Sequence, residues 1–331
     1  MIRALSLLAL LSFASASHAA KPHKLRPEVR EFAAITARDF SLDRKELEKL
    51  LSQAVTQQSI LDAISKPAER VVPWYEYRER FMTDKRIGQG TEFWSANTES
   101  LAAIDDDGIA AAVAGIIGVE TSYGRITGRY RVIDALYTLA FDFPARATFF
   151  RSELQQFVLL TKEETINPKT ALGSYAGAMG IPQFMPSSYR NFAIDGNGDG
   201  HRNLWTDWTD VVSSVANYLR MHGWRSGEPV VADATLENVD MSRFNTSTLA
   251  LNETVGSLQE KGVSFVTTLP VDAPAMLIVL KGKDGPVYRV GFNNFYVITR
   301  YNRSTMYANA VHDLGQAVFG SVHGPGTQAS R

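Results

Sequence analysis

Ile109-Ala-Ala-Ala-Val-Ala-Gly-Ile-Ile-Gly-Val-Glu120 is the stretch on which the fold turns, because eleven apolar or glycine residues end in a carboxylic acid. At helical spacing Val113, Ile116, Ile117 and Glu120 share one face, so the carboxyl follows a hydrophobic stripe to the edge of a core. Partial burial raises the pKa of a carboxylic acid. An acid still protonated near neutral pH can give its proton to a leaving-group oxygen, which is what cleavage of a glycosidic bond needs. The alternative is a helix-end glutamate in solvent or in a structural ion pair, and this segment alone does not choose between them.

Outward from that helix, the start Met1-Ile-Arg followed by a short apolar run from Ala4 to Phe13 and by Ala16-Ser-His-Ala-Ala20 is expected to be a secretory signal peptide cleaved after Ala19. The run is too short to cross a bilayer comfortably, and no later segment is apolar enough, so we expect no transmembrane segment and an exported, soluble, periplasmic protein. The chain has no cysteine, hence neither disulfides nor an acceptor for a lipoprotein lipid. Thirty-four Lys and Arg balance 35 Asp and Glu, which argues against a nucleic-acid partner or polybasic membrane attachment.

The periodicities predict helical regions interrupted by a small β insertion. The segments expected are a signal peptide (1–19), an N-terminal helical region (20–92), a core (93–227), a small β insertion (228–290), a returning C-terminal segment (291–320) and a flexible tail (321–331). Helices are expected around Trp94–Ile104, Ile109–Glu120, Val132–Phe141, Ala145–Leu160, Asp210–His222 and Ser304–Gly315. The β-rich runs are Pro229–Ala232, Val263–Thr268, Ala275–Leu280 and Val287–Val290.

Two further constellations carry chemistry. Asp195-Gly-Asn197-Gly-Asp199-Gly-His201 follows the start of an EF-hand calcium loop, with oxygen ligands at alternate positions, His201 at the seventh and glycine at the sixth. The twelfth residue is Thr206 rather than Glu, so Asp207 or Asp210 is expected to complete the site. Calcium fits better than magnesium, which demands a stricter octahedron. The second constellation, Gly173-Ser-Tyr-Ala-Gly-Ala-Met-Gly-Ile-Pro-Gln-Phe-Met-Pro-Ser-Ser-Tyr189, offers small residues for close approach and hydroxyl, amide and aromatic groups of the kind that hold sugars. Composition alone would equally suit a packing loop.

Taken together, Gly118-Val-Glu-Thr-Ser-Tyr-Gly124, the 173–189 segment, Asp199-Gly-His-Arg-Asn-Leu-Trp205, Ser214-Val-Ala-Asn-Tyr-Leu219 and Phe295-Tyr-Val-Ile-Thr-Arg-Tyr-Asn302 resemble the motifs of the lytic murein transglycosylases of the B family. The resemblance runs from about Pro73 to Gly315 in the family's order. It implies a lysozyme-like α+β core with a mainly helical outer domain and a small β domain, peptidoglycan glycan strands as partner, a structural rather than chemical calcium, and no organic cofactor. It further implies Glu120 as a single catalytic acid/base and Ser174 as a ligand of the muramyl N-acetyl group. Gln183, Phe184, Tyr75, Tyr218, Tyr301, Asn302 and Tyr307 would line sugar subsites, and Asp195, Asn197, Asp199, His201 and Asp210 would hold the metal. Other cell-wall enzymes as partners are not readable from the chain. Two other functions stay open at this point, a hydrolytic muramidase and a noncatalytic calcium-dependent wall-binding protein.

Overall fold

The computed structural model describes residues 23–65, 72–237, 239–324 and 326–329. The expected signal peptide lies outside them, as does part of the expected tail. The chain forms two compact units, one ending at Val55 and the other beginning at Thr56. The described part of the first is a helical pair, α1 (Pro27–Asp39) and α2 (Arg44–Leu51). Asp43 caps α2 by accepting the Glu46 N–H at 2.9 Å.

The second unit carries the remaining elements. In chain order these are α3 (Gln58–Ser65), α4 (Trp74–Glu79), α5 (Asp84–Ala96), α6 (Thr98–Ala102), α7 (Asp107–Thr121), β1 (Tyr130–Arg131), α8 (Val132–Asp142), α9 (Ala147–Glu163), β2 (Leu172–Gly173), α10 (Pro186–Phe192) and α11 (Trp208–Met221). After them come β3 (Val231–Leu236), β4 (Glu253–Thr254), α12 (Val255–Glu260), β5 (Val263–Phe265), β6 (Pro274–Lys281), β7 (Pro286–Gly291), α13 (Asn293–Tyr301) and α14 (Thr305–His323). The α+β class is as expected. β1 and β2 form a two-stranded ribbon, and the others an antiparallel sheet in the order β4-β6-β7-β3-β5. Phe244, Val255, Leu258, Leu277 and Phe292 belong to a separate apolar cluster beneath that sheet.

Two elements differ from expectation. α7 is buried from Gly108 to Gly118 without interruption, rather than along one stripe. Its Ala- and Gly-rich composition is the reason: small side chains let helices close on it from several sides. α14 continues eight residues past the expected end at Gly315, because Val318 and Phe319 add another buried turn.

α7 and α14 pack against each other at very short range. A Cβ on Gly115 would stand 2.1 Å from the Val311 carbonyl oxygen, and one on Gly315 would stand 2.3 Å from that of Ala111. Each helix therefore presents a glycine to the other's backbone. Ser304 caps the start of α14 by accepting the Tyr307 N–H at 3.2 Å, which sets the first turn of that helix.

Gly315→Ala should gain up to about 1 kcal/mol of helix propensity and lose more than that, of order 1–3 kcal/mol, to the clash with backbone that cannot rotate away. A thermal melt below wild type is the expected outcome; an unchanged or higher melting temperature would refute the close crossing.

Candidate active site

Glu120 occupies the last turn of α7, and the chain then reverses through two successive left-handed residues, Ser122 (φ 52°) and Tyr123 (φ 58°). Non-glycine residues in that region are uncommon, and a consecutive pair stores backbone strain held by its surroundings. Thr121 holds it from inside: its hydroxyl donates to the Ile181 carbonyl at 2.9 Å and accepts the Gly124 N–H at 3.1 Å.

The Glu120 carboxyl is crowded by protein yet keeps part of its surface open. Burial pushes its pKa up to about 7, opposed by a hydrogen bond in which the Tyr307 hydroxyl donates to Oε1 at 2.7 Å. Tyr301 lies near enough for the Glu120 charge to raise its pKa further, on top of burial. The rival carboxylates are committed elsewhere. Asp134 forms a two-pronged pair with Arg131 at 2.7 and 2.8 Å, and Asp142 accepts from the Thr56 hydroxyl at 2.8 Å.

The tyrosines are fixed through their hydroxyls and rings. Tyr301 donates to the Pro182 carbonyl at 2.5 Å and Tyr218 to the Arg300 carbonyl at 2.8 Å. Their rings meet edge-on at 4.8 Å between centroids, with Phe184 at 5.7 Å from Tyr218 and 5.8 Å from Tyr301. Phe184 is only 2% exposed, so it supports those rings from below and offers little face of its own to a sugar. Asn302, at the end of α13, is exposed.

On the loop side, the Ser174 hydroxyl oxygen accepts N–H groups from Ala176 (3.2 Å) and Ala178 (3.0 Å). Those bonds cap the turn through the oxygen's acceptor side and use none of its donor capacity. Gln183 is also left-handed (φ 54°), and its amide nitrogen donates to Thr127 O and Gly180 O at 3.1 and 2.8 Å, linking this loop to the chain just after Glu120. Tyr75 bonds the Glu76 carboxylate at 3.1 Å. The residue of α4 that sequence reasoning missed is Tyr77, whose hydroxyl is close enough to raise the pKa of Tyr307. Only the packing of α4 against α14 could reveal it.

In the 195–210 loop, Asp195 accepts the N–H groups of Gly198, Asp199 and Gly200 at 2.6, 3.2 and 2.7 Å, Asn197 that of Asp199 at 2.9 Å, and Asp199 that of His201 at 2.8 Å. This is the inward-wound backbone of an EF-hand start. Asp210 is one of the two residues expected to complete the site. It is fully buried under the loop, with its oxygens on the Gly196 and Asn203 N–H groups at 2.8 and 2.6 Å. Asp207, which caps α11, instead reaches the Asn197 amide at 2.8 Å. The oxygen-rich donor set suits a hard cation, although no preassembled group of three Asp, Glu or His side chains exists among the described residues.

Cavity size does not locate the chemistry. A cleft of about 410 Å³ bordered by Glu164, Arg202 and Trp205, and one of about 970 Å³ between β3, β5 and α14, include neither Glu120 nor Ser174. The perturbed carboxyl of Glu120 marks a candidate instead.

Comparison with known proteins follows the same lines. The transglycosylase SLT domain family model matches residues 24–316. The chain is 39% identical over 308 residues to the membrane-bound lytic murein transglycosylase B of Escherichia coli K12, covering 88% of this chain and 82% of that one. It superposes on the soluble lytic transglycosylase SltB1 of Pseudomonas aeruginosa with a TM-score of 0.84 at 47% identity, over 88% of this chain and 98% of the other. The Escherichia coli lytic transglycosylase Slt35 in complex with calcium gives 0.79 at 37% identity, over 89% and 94%.

Two outcomes test the electrostatics. Tyr307→Phe removes the bond that favours the ionised carboxylate, so the Glu120 pKa should rise above about 7; a carboxyl titration followed by ¹³C NMR would contradict this by staying put or falling. Between the unfolded value near 4.5 and about 7 the folded state holds a proton that the unfolded chain has released, so Glu120 costs stability as pH rises through that window. Glu120→Gln should therefore match wild type in melting near pH 4 and exceed it at pH 8, by up to about 3 kcal/mol. Equal melting curves at pH 8 would contradict the raised pKa.

Proposed function

The chain belongs to the lytic murein transglycosylases of the SLT-domain family, and on that premise we propose that Glu120 alone serves as acid and then as base in its reaction. The enzyme cleaves the β-1,4 bond between N-acetylmuramic acid and N-acetylglucosamine in peptidoglycan without water, leaving 1,6-anhydro-muramyl ends. The hydrolytic and the noncatalytic alternatives are not favoured.

The observation that carries the assignment is a carboxyl raised to about 7 by its surroundings and held by Tyr307, while Asp134 is paired with Arg131 and Asp142 is bonded by Thr56. In its protonated form Glu120 gives its proton to the glycosidic oxygen as the bond to C1 breaks. The carbonyl of the muramyl N-acetyl group supports the positive charge on C1, and the Ser174 hydroxyl donates to that group and holds it in place. Glu120, now anionic and still bonded by Tyr307, takes the proton of the muramyl O6 hydroxyl. That oxygen attacks C1 and closes the anhydro ring. Every proton is accounted for by one carboxyl, where ordinary glycosidases need two.

Gln183, Tyr301 and Asn302 line the sugar path in this proposal, with Tyr218 and Phe184 as the aromatic support behind them and Tyr75 at the α4 side. We assign the 195–210 loop to calcium through Asp195, Asn197, Asp199, the His201 backbone carbonyl and Asp207, with Asp210 holding the loop from beneath. Calcium bound there would crosslink the loop to the start of α11. The calcium complex of the Slt35 relative supports this. Among the described residues no helix is long and apolar enough to cross a membrane. We further propose a periplasmic site of action, as the substrate requires and the sequence of residues 1–19 suggests.

Glu120→Gln should stay folded and lose nearly all turnover, and the wild-type products should be one water lighter by mass spectrometry than the corresponding hydrolytic fragments. Substantial activity in the variant would end the single-residue mechanism. Ser174→Ala should lower kcat more than it raises KM, because the N-acetyl carbonyl gains charge only as the bond breaks; a variant that only melts earlier would assign Ser174 to the turn alone. Calcium added to chelated protein should raise its melting temperature, and an unchanged melt would leave the loop a turn.

A further inference from the structure

The strained reversal after Glu120 is clamped from outside the catalytic helix as well as from within. Arg86, in the first turn of α5, sends Nη1 to the carbonyl oxygen of Gly118, one turn from the end of α7. That oxygen also accepts the Ser122 N–H at 3.2 Å, the bond that starts the left-handed reversal. Arg86 is half-buried, its guanidinium stands 5.9 Å from the Phe81 ring, and burial holds its pKa below the ordinary arginine value. An arginine taken part-way out of water costs free energy unless it is bonded, so its placement here calls for an account.

The neighbours of this bond supply one. Tyr123, the second left-handed residue, turns its ring into the space between α5 and α7, where it stacks on Phe93 at 5.4 Å. Its hydroxyl is buried with no hydrogen-bond partner. The ring therefore fills that space without a polar bond to orient it. Arg125 bonds the Ser122 carbonyl at 3.2 Å and the Glu92 carboxylate, on α5, at 3.0 Å. Two arginines thus tie α5 to the two ends of the reversal, Arg86 on the helix side and Arg125 on the exit side. Arg86 also supplies positive charge at the negative end of α7, where the last carbonyls lack intrahelical partners.

We propose that Arg86 is a positioning residue for the transglycosylase reaction: through the Gly118 carbonyl it fixes the end of α7, and so the place from which the Glu120 carboxyl meets the glycosidic oxygen. On this proposal it acts through Gly118 and not through a sugar contact. The inference rests on Glu120 being the acid/base, which Glu120→Gln tests separately by abolishing turnover whatever Arg86 does.

Arg86→Met removes the donor and keeps most of the apolar stem. With a soluble muropeptide oligomer as substrate, at a temperature well below the melting point, kcat should fall roughly ten- to a hundredfold, as expected for a slightly misplaced catalytic group. KM should stay within about twofold, since no sugar contact is lost. Arg86→Lys, which retains the charge and a donor, should recover most of the lost kcat. If Arg86→Met does not fold, the same kcat and KM split is read on Arg86→Gln, whose amide falls short of the Gly118 carbonyl. Wild-type kcat in a folded variant lacking the bond would overturn the proposal. So would a loss fully explained by the unfolded fraction, or a rise in KM at constant kcat.

Discussion

The crossing of α7 and α14 is the contact on which the site depends. Gly115 and Gly315 let the two backbones approach until a single methyl group would not fit between them. That proximity brings Tyr307, in the first turn of α14, within 2.7 Å of a carboxyl 187 positions earlier in the chain. A wider separation would leave Glu120 free to hydrate, and its pKa would fall toward that of an ordinary glutamate. The acid is therefore made by helix packing as much as by the residue that carries it.

Around this contact the structure divides labour between rigid support and strained presentation. The buried Ala-rich body of α7 anchors one end, while Ser122, Tyr123 and Gln183 adopt left-handed conformations within reach of the site. Such conformations persist only where neighbours over-determine them. Here Thr121, Arg86, Arg125 and the Gln183 amide each bond a backbone carbonyl of the reversal or of the loop facing it. The ring cluster of Phe184, Tyr218 and Tyr301 stiffens the opposite side, with each tyrosine hydroxyl on a backbone carbonyl. Fixed positions suit the proposed reaction, in which one carboxyl serves two oxygens in succession.

The EF-hand-like loop is tied to the same core by a different logic. Asp210 is buried and bonds the loop backbone at Gly196 and Asn203, so the loop rests on α11 through protein contacts. The Asp195 oxygens are held within the loop by three of its N–H groups, and Asn197 reaches both Asp199 and Asp207. A cation there would strengthen a scaffold already formed.

Much of this was legible in the chain alone, because local chemistry leaves local marks. The apolar helix ending in Glu120, the alternating Asp/Asn/Gly loop, the Gly-Ser turn and the β-rich runs between 228 and 290 follow from periodicity, turn residues and motif spacing, and the α+β class from the resemblance those motifs carry. What the sequence could not give was which partners meet. That Phe184 lies beneath the tyrosines, that Asp207 rather than Asp210 faces Asn197, that Tyr77 approaches Tyr307 and that Arg86 reaches Gly118 all depend on contacts between distant segments. No spacing rule relates residues more than a few turns apart. Sequence determined that a carboxylic acid would stand at the end of a hydrophobic helix. Only the tertiary structure decided that it would be partly dehydrated, bonded by one tyrosine and raised to about 7, because desolvation and hydrogen bonding belong to the assembled surroundings and not to the residue.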